Sequence, residues 1–379
     1  MIPVDPGTSR LTKVVVHLDR LTHNLGLLRE QAGGCAVWPV VKGDAYGHGA
    51  DIVARHLIGL GCRTLGVADI EEAVALVDAG IEATIIVLSA TLPEHSEALV
   101  AYGCEPVVCT LEMAESLAHA AQRLGRRASM HLKVDTGMGR IGIRGDEVVD
   151  FLERCRPLSA LRVRGLMSHF PRADEADKTF SRAQIEEFRR VIAATKGYGI
   201  EVRHLANSAA LFDLPESYFD AVRPGIAIYG LCPSAQIANP RVRELRPVLE
   251  WKTRITFLKE VAAGVGLSYG HAFRTQRPSL IATVPVGYAD GLDRSLSNQL
   301  DLLVRGVRCP QVGRITMDMS LIDVTGLRGQ IELGDEAVII GRQHDQEVTA
   351  DELAATLGTI NYEVVTAISH RVPRVVAGE

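Results

Sequence analysis

Short runs of Val, Ile and Leu recur through roughly the first 230 residues, separated by longer segments in which apolar positions return at helical spacing. That alternation predicts a parallel sheet whose strands are linked by helices. The runs that read as strands are Val14 to Leu18, Ala36 to Val41, Thr64 to Val67, Thr84 to Leu88, Glu105 to Cys109, Met130 to Val134, Val163 to Ser168 and Glu201 to Leu205. Helices are expected between them, among others over Asp69 to Ala79, Leu111 to Gln122 and Ser181 to Thr195. A set of eight such strands is what a closed (β/α)8 barrel of the TIM type requires. After about Arg241 the texture changes to short strands punctuated by Gly and Pro: Trp251 to Phe257, Leu280 to Val286, Leu302 to Val304, Met319 to Val324 and Ala337 to Ile340. The expected architecture is therefore α/β, a barrel over residues 1–240 followed by a mainly-β domain over residues 241–379.

A chain of 379 residues is longer than one core usually serves, which agrees with two domains. Lys and Arg number 41 against 46 Asp and Glu, a formal charge of −5 with the signs interspersed, so nucleic acid is not an expected partner. No stretch approaches the roughly 18 uninterrupted apolar residues of a membrane span, and the N-terminus lacks the pattern of a secretion signal. The expected location is the cytoplasm. The seven cysteines are scattered with no Cys-x-x-Cys pair and read as free, mostly buried thiols.

Reactive groups of a parallel barrel gather at the C-terminal ends of its strands. Lys42, Lys133, His169 and Asn207 each fall just there. Gly137-Met-Gly-Arg-Ile-Gly142 has dinucleotide-fold spacing, but Arg144-Gly145-Asp146 interrupts any helix, and no acidic residue for a ribose follows about 20 residues on. The 12 histidines include no His-Glu-x-x-His and no Cys/His pairing at ligand spacing, so no metal is expected. Taken singly, Lys42 is a surface lysine at a strand end, His169 a satisfied core histidine, Tyr269 a half-buried strand tyrosine and Arg140 a solvated loop charge.

Their neighbours change that reading. Val40-Val-Lys-Gly-Asp-Ala-Tyr-Gly-His-Gly49 resembles the cofactor-lysine signature of the alanine racemase family, and further matches follow in that family's order. These are His131 to Gly142, Gly165 to His169, His204 to Ala209 and Val222 to Gly230, then Leu267 to Gly270, Gly287 to Gly291, Arg314 to Asp318, Asn361 to Glu363 and Arg371 to Arg374. Thr316, where many members have Cys, and Gly43, where Ala is common, are departures that leave substrate breadth open.

The resemblance implies an enzyme that interconverts L-alanine and D-alanine with pyridoxal 5′-phosphate and supplies D-alanine for peptidoglycan. It implies Lys42 as cofactor lysine and base on one face of Cα, with Tyr269 of a partner subunit in a shared-site homodimer as acid/base on the other. Cofactor contacts would come from Tyr46, His169, Asn207, Ser208, Arg223, Gly225, Ile226 and Tyr362. Arg140 and Met317 would contact the amino-acid substrate, and Lys133 would be carbamylated. An arginine at the pyridine nitrogen donates a hydrogen bond and leaves that nitrogen unprotonated, so Arg223→Glu is expected to increase side transamination. A broad-specificity or serine racemase of the same family is the closest alternative. A fold-related decarboxylase would want an acidic group in place of Arg223, and a single-barrel cofactor-binding protein would need no β domain.

Overall fold

The computed structural model describes residues 10–378, which divide into two compact units. One comprises Asp19–Tyr46 and Ala50–Arg246; the other comprises the chain up to Leu18, Gly47–Gly49 and the chain from Pro247 onward.

In the larger unit eight parallel strands follow one another in the order Ala36–Val37, Ala221–Val222, Val202–His204, Leu161–Met167, Ala128–Asp135, Glu105–Val108, Thr84–Val87 and Thr64–Val67. The ring closes between its ends: Val40 bridges Gly66, with Val41 N–H donating to the Gly66 carbonyl at 2.8 Å and Gly66 N–H to the Pro39 carbonyl at 2.9 Å. Gly66 suits this seam, because a Cβ there would press on Leu88 and Val40. Trp38, Ile86, Val107, Met167, Val202 and Ala221, on or beside six of the eight strands, pack as one core cluster. Helices including Ala50–Gly59, Ile70–Asp78, Leu111–Arg123, Val148–Cys155 and Thr179–Ala194 connect the strands. Local chemistry starts two of them: Asp69 accepts from Glu72 N–H, and Thr110 accepts from Met113 N–H.

One expected barrel strand is elsewhere. Lys13–Val16 pairs antiparallel with Leu249–Arg254 and parallel with Arg374–Val376, inside the smaller unit. A run of valines buried on alternate residues fits a sheet but does not say which sheet. The barrel's eighth strand is instead Ala221–Val222, two residues between Asp220 and Arg223, too short to show a period. This correction sets Arg223 at a strand's C-terminal end beside the other reactive groups.

The smaller unit carries a sheet extended from Leu249–Arg254 through Glu336–Gln343 to Asp301–Val304 and Val307–Pro310. A second sheet joins Phe257–Val261, Ser279–Val284 and Ser320–Asp323. The strand expected over Trp251 to Phe257 breaks at Ile255 and Thr256, so its two halves serve different sheets. A short hairpin, Gly266–Leu267 against Phe273–Arg274, projects a five-residue loop that begins at Ser268. Among the described residues no helix is long and apolar enough to cross a membrane, and all seven cysteines are free.

Candidate active site

Lys42 follows Val41 and opens a turn that runs to Gly47 in left-handed helical conformation: φ is 62° at Gly43 and 53° at Asp44, Ala45 and Tyr46. A left-handed turn costs roughly 1–2 kcal/mol for each residue with a Cβ, so surrounding contacts must hold it. Glu72 does so with both carboxylate oxygens, accepting from Gly43 N–H at 2.6 Å and Ala68 N–H at 2.7 Å. Asp44 Oδ1 accepts from Ala50 N–H, and Ala45 N–H donates to the Val41 carbonyl. The Lys42 amine is lowered from the ordinary lysine range, first by desolvation and then by the Arg140 charge, with Glu72 opposing.

Lys133 lies on the strand Ala128–Asp135 and is almost fully buried, its Nζ without a hydrogen-bond partner among the described residues. Burial, then the charges of Arg223 and Arg140, push its amine down to about 7. Two residues on, Asp135 accepts from the N–H groups of Gly137, Met138 and Gly139 at 2.8–3.1 Å. The glycine spacing that mimics a dinucleotide loop thus wraps a carboxylate of its own strand, and Gly142, at φ 128°, packs so closely on Asp135 that a Cβ would collide with its backbone nitrogen. This loop carries the exposed Arg140, which stands near enough to lower Lys42, Lys133 and His169 together.

Arg223 is buried, and its two terminal nitrogens are held by hydrogen bonds. Nη1 donates to His204 Nδ1 at 2.8 Å, while Nη2 donates to the carbonyls of Ser168 at 2.9 Å and Leu205 at 3.2 Å and to His169 Nδ1 at 3.4 Å. Burial alone pushes the guanidinium down to about 9. His169 is held well below its ordinary value by burial, then by Arg223, Lys133, Arg140 and Lys42.

A second cluster adjoins Gly225. Its N–H donates to Ser208 Oγ at 2.9 Å, as does that of Ala227 at 3.3 Å, and a Cβ at Gly225 would collide with the Tyr46 hydroxyl. The Tyr46 ring in turn lies 5.1 Å from that of Tyr229. Asn207 uses its side-chain oxygen to cap the helix Ser208–Asp213, accepting from Ala210 N–H at 3.0 Å. Ile226 begins the tight turn after Gly225.

The remaining sequence-predicted residues belong to the smaller unit. Tyr269 sits in the hairpin loop with 70 % of its surface exposed, and Met317 is 53 % exposed. The Tyr288 and Met317 segments clasp one another: Tyr288 N–H donates to the Thr316 carbonyl and Ala289 N–H to that of Met317, both at 3.0 Å. Below them Asp290 is fully buried between Arg10 and Arg371, and Arg371 also reaches Asp318 at 2.6 Å. Tyr362 lies on the helix Asn361–Thr366.

Sequence reasoning missed Glu72, Asp135, Trp38 and Glu105. Glu72 had a signal, since Asp69-x-x-Glu72 is a helix-start pattern. Trp38 and Glu105 had none, being single residues in apolar strands.

With this geometry in place, comparison with known proteins decides the family. The sequence model described as alanine racemase, N-terminal domain, matches residues 16–233, and that of the C-terminal domain matches residues 248–376. The chain belongs to the alanine racemase family. It is 44 % identical over 369 residues to the alanine racemase of Halothermothrix orenii, covering 97 % of each chain. It is 40 % identical over 363 residues to that of Clostridium novyi, covering 95 % of this chain and 94 % of the relative. Among solved structures, alanine racemase of Clostridium difficile superposes with a TM-score of 0.92 at 35 % identity, covering 97 % of this chain and 96 % of the other. Alanine racemase of Bacillus anthracis, solved with bound L-Ala-P, gives 0.91 at 36 % identity over 98 % and 96 % of the chains. The alanine racemase fold, a barrel followed by a mainly-β portion, is the one this chain adopts.

Proposed function

We propose that this protein interconverts L-alanine and D-alanine with bound pyridoxal 5′-phosphate, supplying D-alanine for peptidoglycan. The observation that carries the reading is the gathering of Lys42, Lys133, Arg140, His169 and Arg223 at one end of the barrel in a chain that aligns over 97 % of its length with an alanine racemase.

The residues fit that cofactor. A lysine amine lowered by burial is the form that captures an aldehyde. The Tyr46 hydroxyl, Ser208 and the backbone N–H groups of Gly225 and Ile226 offer donors to a phosphate, with Asn207 fixing the segment that bears Ser208. Bound there, the cofactor supplies the electron sink that makes the α-proton removable.

The protein's own residues do the rest. Lys42 Nζ moves the proton on one face of Cα. Tyr269, whose ring is open to solvent in the single chain, moves it on the other face from a partner subunit that also brings Met317. Arg140 holds the substrate carboxylate with its planar fork. Arg223 meets the ring nitrogen as a donor only, and His169 lies against the ring. Lys133, near neutrality and without a hydrogen-bond partner among the described residues, is an amine suited to CO2: an N–C bond forms, a proton leaves, and the resulting carbamate is an anion that pairs with Arg140. Intact-mass and density measurements that show a free amine in the working enzyme would remove this step.

Incubation of purified protein with L-alanine, L-serine and L-lysine separately, followed by chiral analysis, is expected to give D-alanine as the main product. Absence of D-alanine from cofactor-saturated protein would overturn the reading.

A further inference from the structure

Arg223 is a buried guanidinium with no carboxylate pairing to it among the described residues. Its hydrogen bond to His204 is the first link of a longer chain. His204 Nε2 meets His131 Nδ1 at 2.9 Å, and His131 Nε2 meets Glu105 Oε2 at 2.9 Å. Both histidines are fully buried, and their rings stand edge to face at 4.8 Å with Trp38 against each. Gly165 makes the room, since a Cβ at that position would collide with His131 Nδ1. Arg164 closes the far end, donating to the same Glu105 oxygen at 2.6 Å.

The protons of this chain can be assigned from its two ends. A guanidinium has no acceptor, so His204 Nδ1 must accept, which puts its proton on Nε2. His131 Nδ1 must then accept from His204, so its proton is on Nε2, pointing at a carboxylate that can only accept. Four groups thus form a one-directional chain with neither histidine charged, and reversing any link would set two donors face to face. A positive charge on His131 would put a proton on Nδ1, where His204 already donates. Burial holds both histidines below their ordinary value, in agreement with this assignment. The same burial works against charge on Glu105, but the hydrogen bond from His131 and the Arg164 guanidinium outweigh it.

We propose that Glu105 is a positioning residue for Arg223: its carboxylate fixes the tautomers of His131 and His204 and so keeps His204 Nδ1 an acceptor for the guanidinium that faces the cofactor ring. This rests on the reading of Arg223 given above, but its first test does not. In cofactor-free protein, histidine ring 15N–1H correlations are expected to show both rings neutral and protonated on Nε2. Glu105→Gln keeps an acceptor oxygen for His131 and is expected to preserve that pattern. Glu105→Leu is expected to change it and to lower kcat roughly ten-fold, with KM for alanine little altered because the chain meets the ring rather than the carboxylate. Glu105→Gln should recover most of that loss. Either histidine found protonated on Nδ1 or charged in the wild type would overturn the proposal, whether or not the variants fold. Tautomers or kcat unchanged in folded Glu105→Leu would overturn it too. Wild-type protein that forms no D-alanine would instead fail the functional reading and leave the tautomer result standing.

Discussion

Lys133 gives the clearest case in which burial converts a common side chain into a chemical group. Its amine titrates near 7 in the fold, from desolvation first and then Arg223 and Arg140, against about 10.4 in an unfolded chain. Between those values the unfolded state holds a proton that the folded state has shed, so stability rises with pH across the window. Below about pH 7 the penalty is fully present, on the order of 3 to 5 kcal/mol, and above about pH 10.5 it is gone. In CO2-free buffer without cofactor, Lys133→Met should therefore stabilise the protein at neutral pH and flatten its stability against pH, read from urea midpoints. Equal slopes in wild type and variant would contradict a buried, depressed lysine. The lysine itself was legible in the sequence, because it stands next to the end of the expected strand Met130 to Val134 and its segment resembles a known one. The partner that holds Lys42 in place was half legible, as the glutamate of a helix start. Glu105 was not, because nothing in sequence joins a lone carboxylate to a histidine 26 residues away.

The left-handed turn from Gly43 to Tyr46 inverts the usual preference of a helix for alanine. Ala45 and Ala54 are both fully buried, one in this turn and one in the right-handed helix Ala50–Gly59, so a glycine removes the same methyl from each. In the ordinary helix Ala54→Gly should cost about 1 kcal/mol beyond the lost methyl. At Ala45 glycine relieves roughly 1–2 kcal/mol of Cβ strain, which offsets its greater unfolded-state freedom of about 0.5–1 kcal/mol. Ala45→Gly is expected to be neutral or stabilising relative to Ala54→Gly in denaturant melts, and an equal loss at both positions would refute the strain. Alternation of apolar runs with helices predicted a barrel correctly, yet misassigned one strand. Lys13–Val16 has the stronger hydrophobic run, but its partners are Leu249–Arg254 and Arg374–Val376, more than 200 residues away. Ala221–Val222 holds a barrel position by hydrogen bonds to His204 and to Ala36–Val37, which no local pattern reports.

A single chain exposes the groups that the proposed reaction requires on the second face of the substrate. Tyr269 is 70 % exposed, and Met317 and Met319 are each about half exposed, which is costly for large apolar side chains without a covering surface. Ser268, which precedes the tyrosine, has φ 59° and ψ −174°, a region nearly reserved for glycine, and is held by its hydroxyl donating to the Arg314 carbonyl at 2.6 Å. A strained loop held in this way presents a side chain outward rather than folding it away. If the loop completes the site of a second copy, then two inactive variants complement one another. Lys42→Ala retains Tyr269, and Tyr269→Phe retains Lys42. In a mixed dimer the site built on the Tyr269→Phe chain contains the wild-type lysine together with the wild-type tyrosine of its partner. The other site lacks both. Random pairing at equal amounts makes about half the dimers mixed, so about one quarter of all sites should be wild type and activity should return to about that fraction. Subunit exchange should set the rate of recovery, and dilution below the dimer's dissociation constant should abolish it. A tyrosine acting within its own chain would give no recovery at any ratio, because every site would then lack one of its two bases.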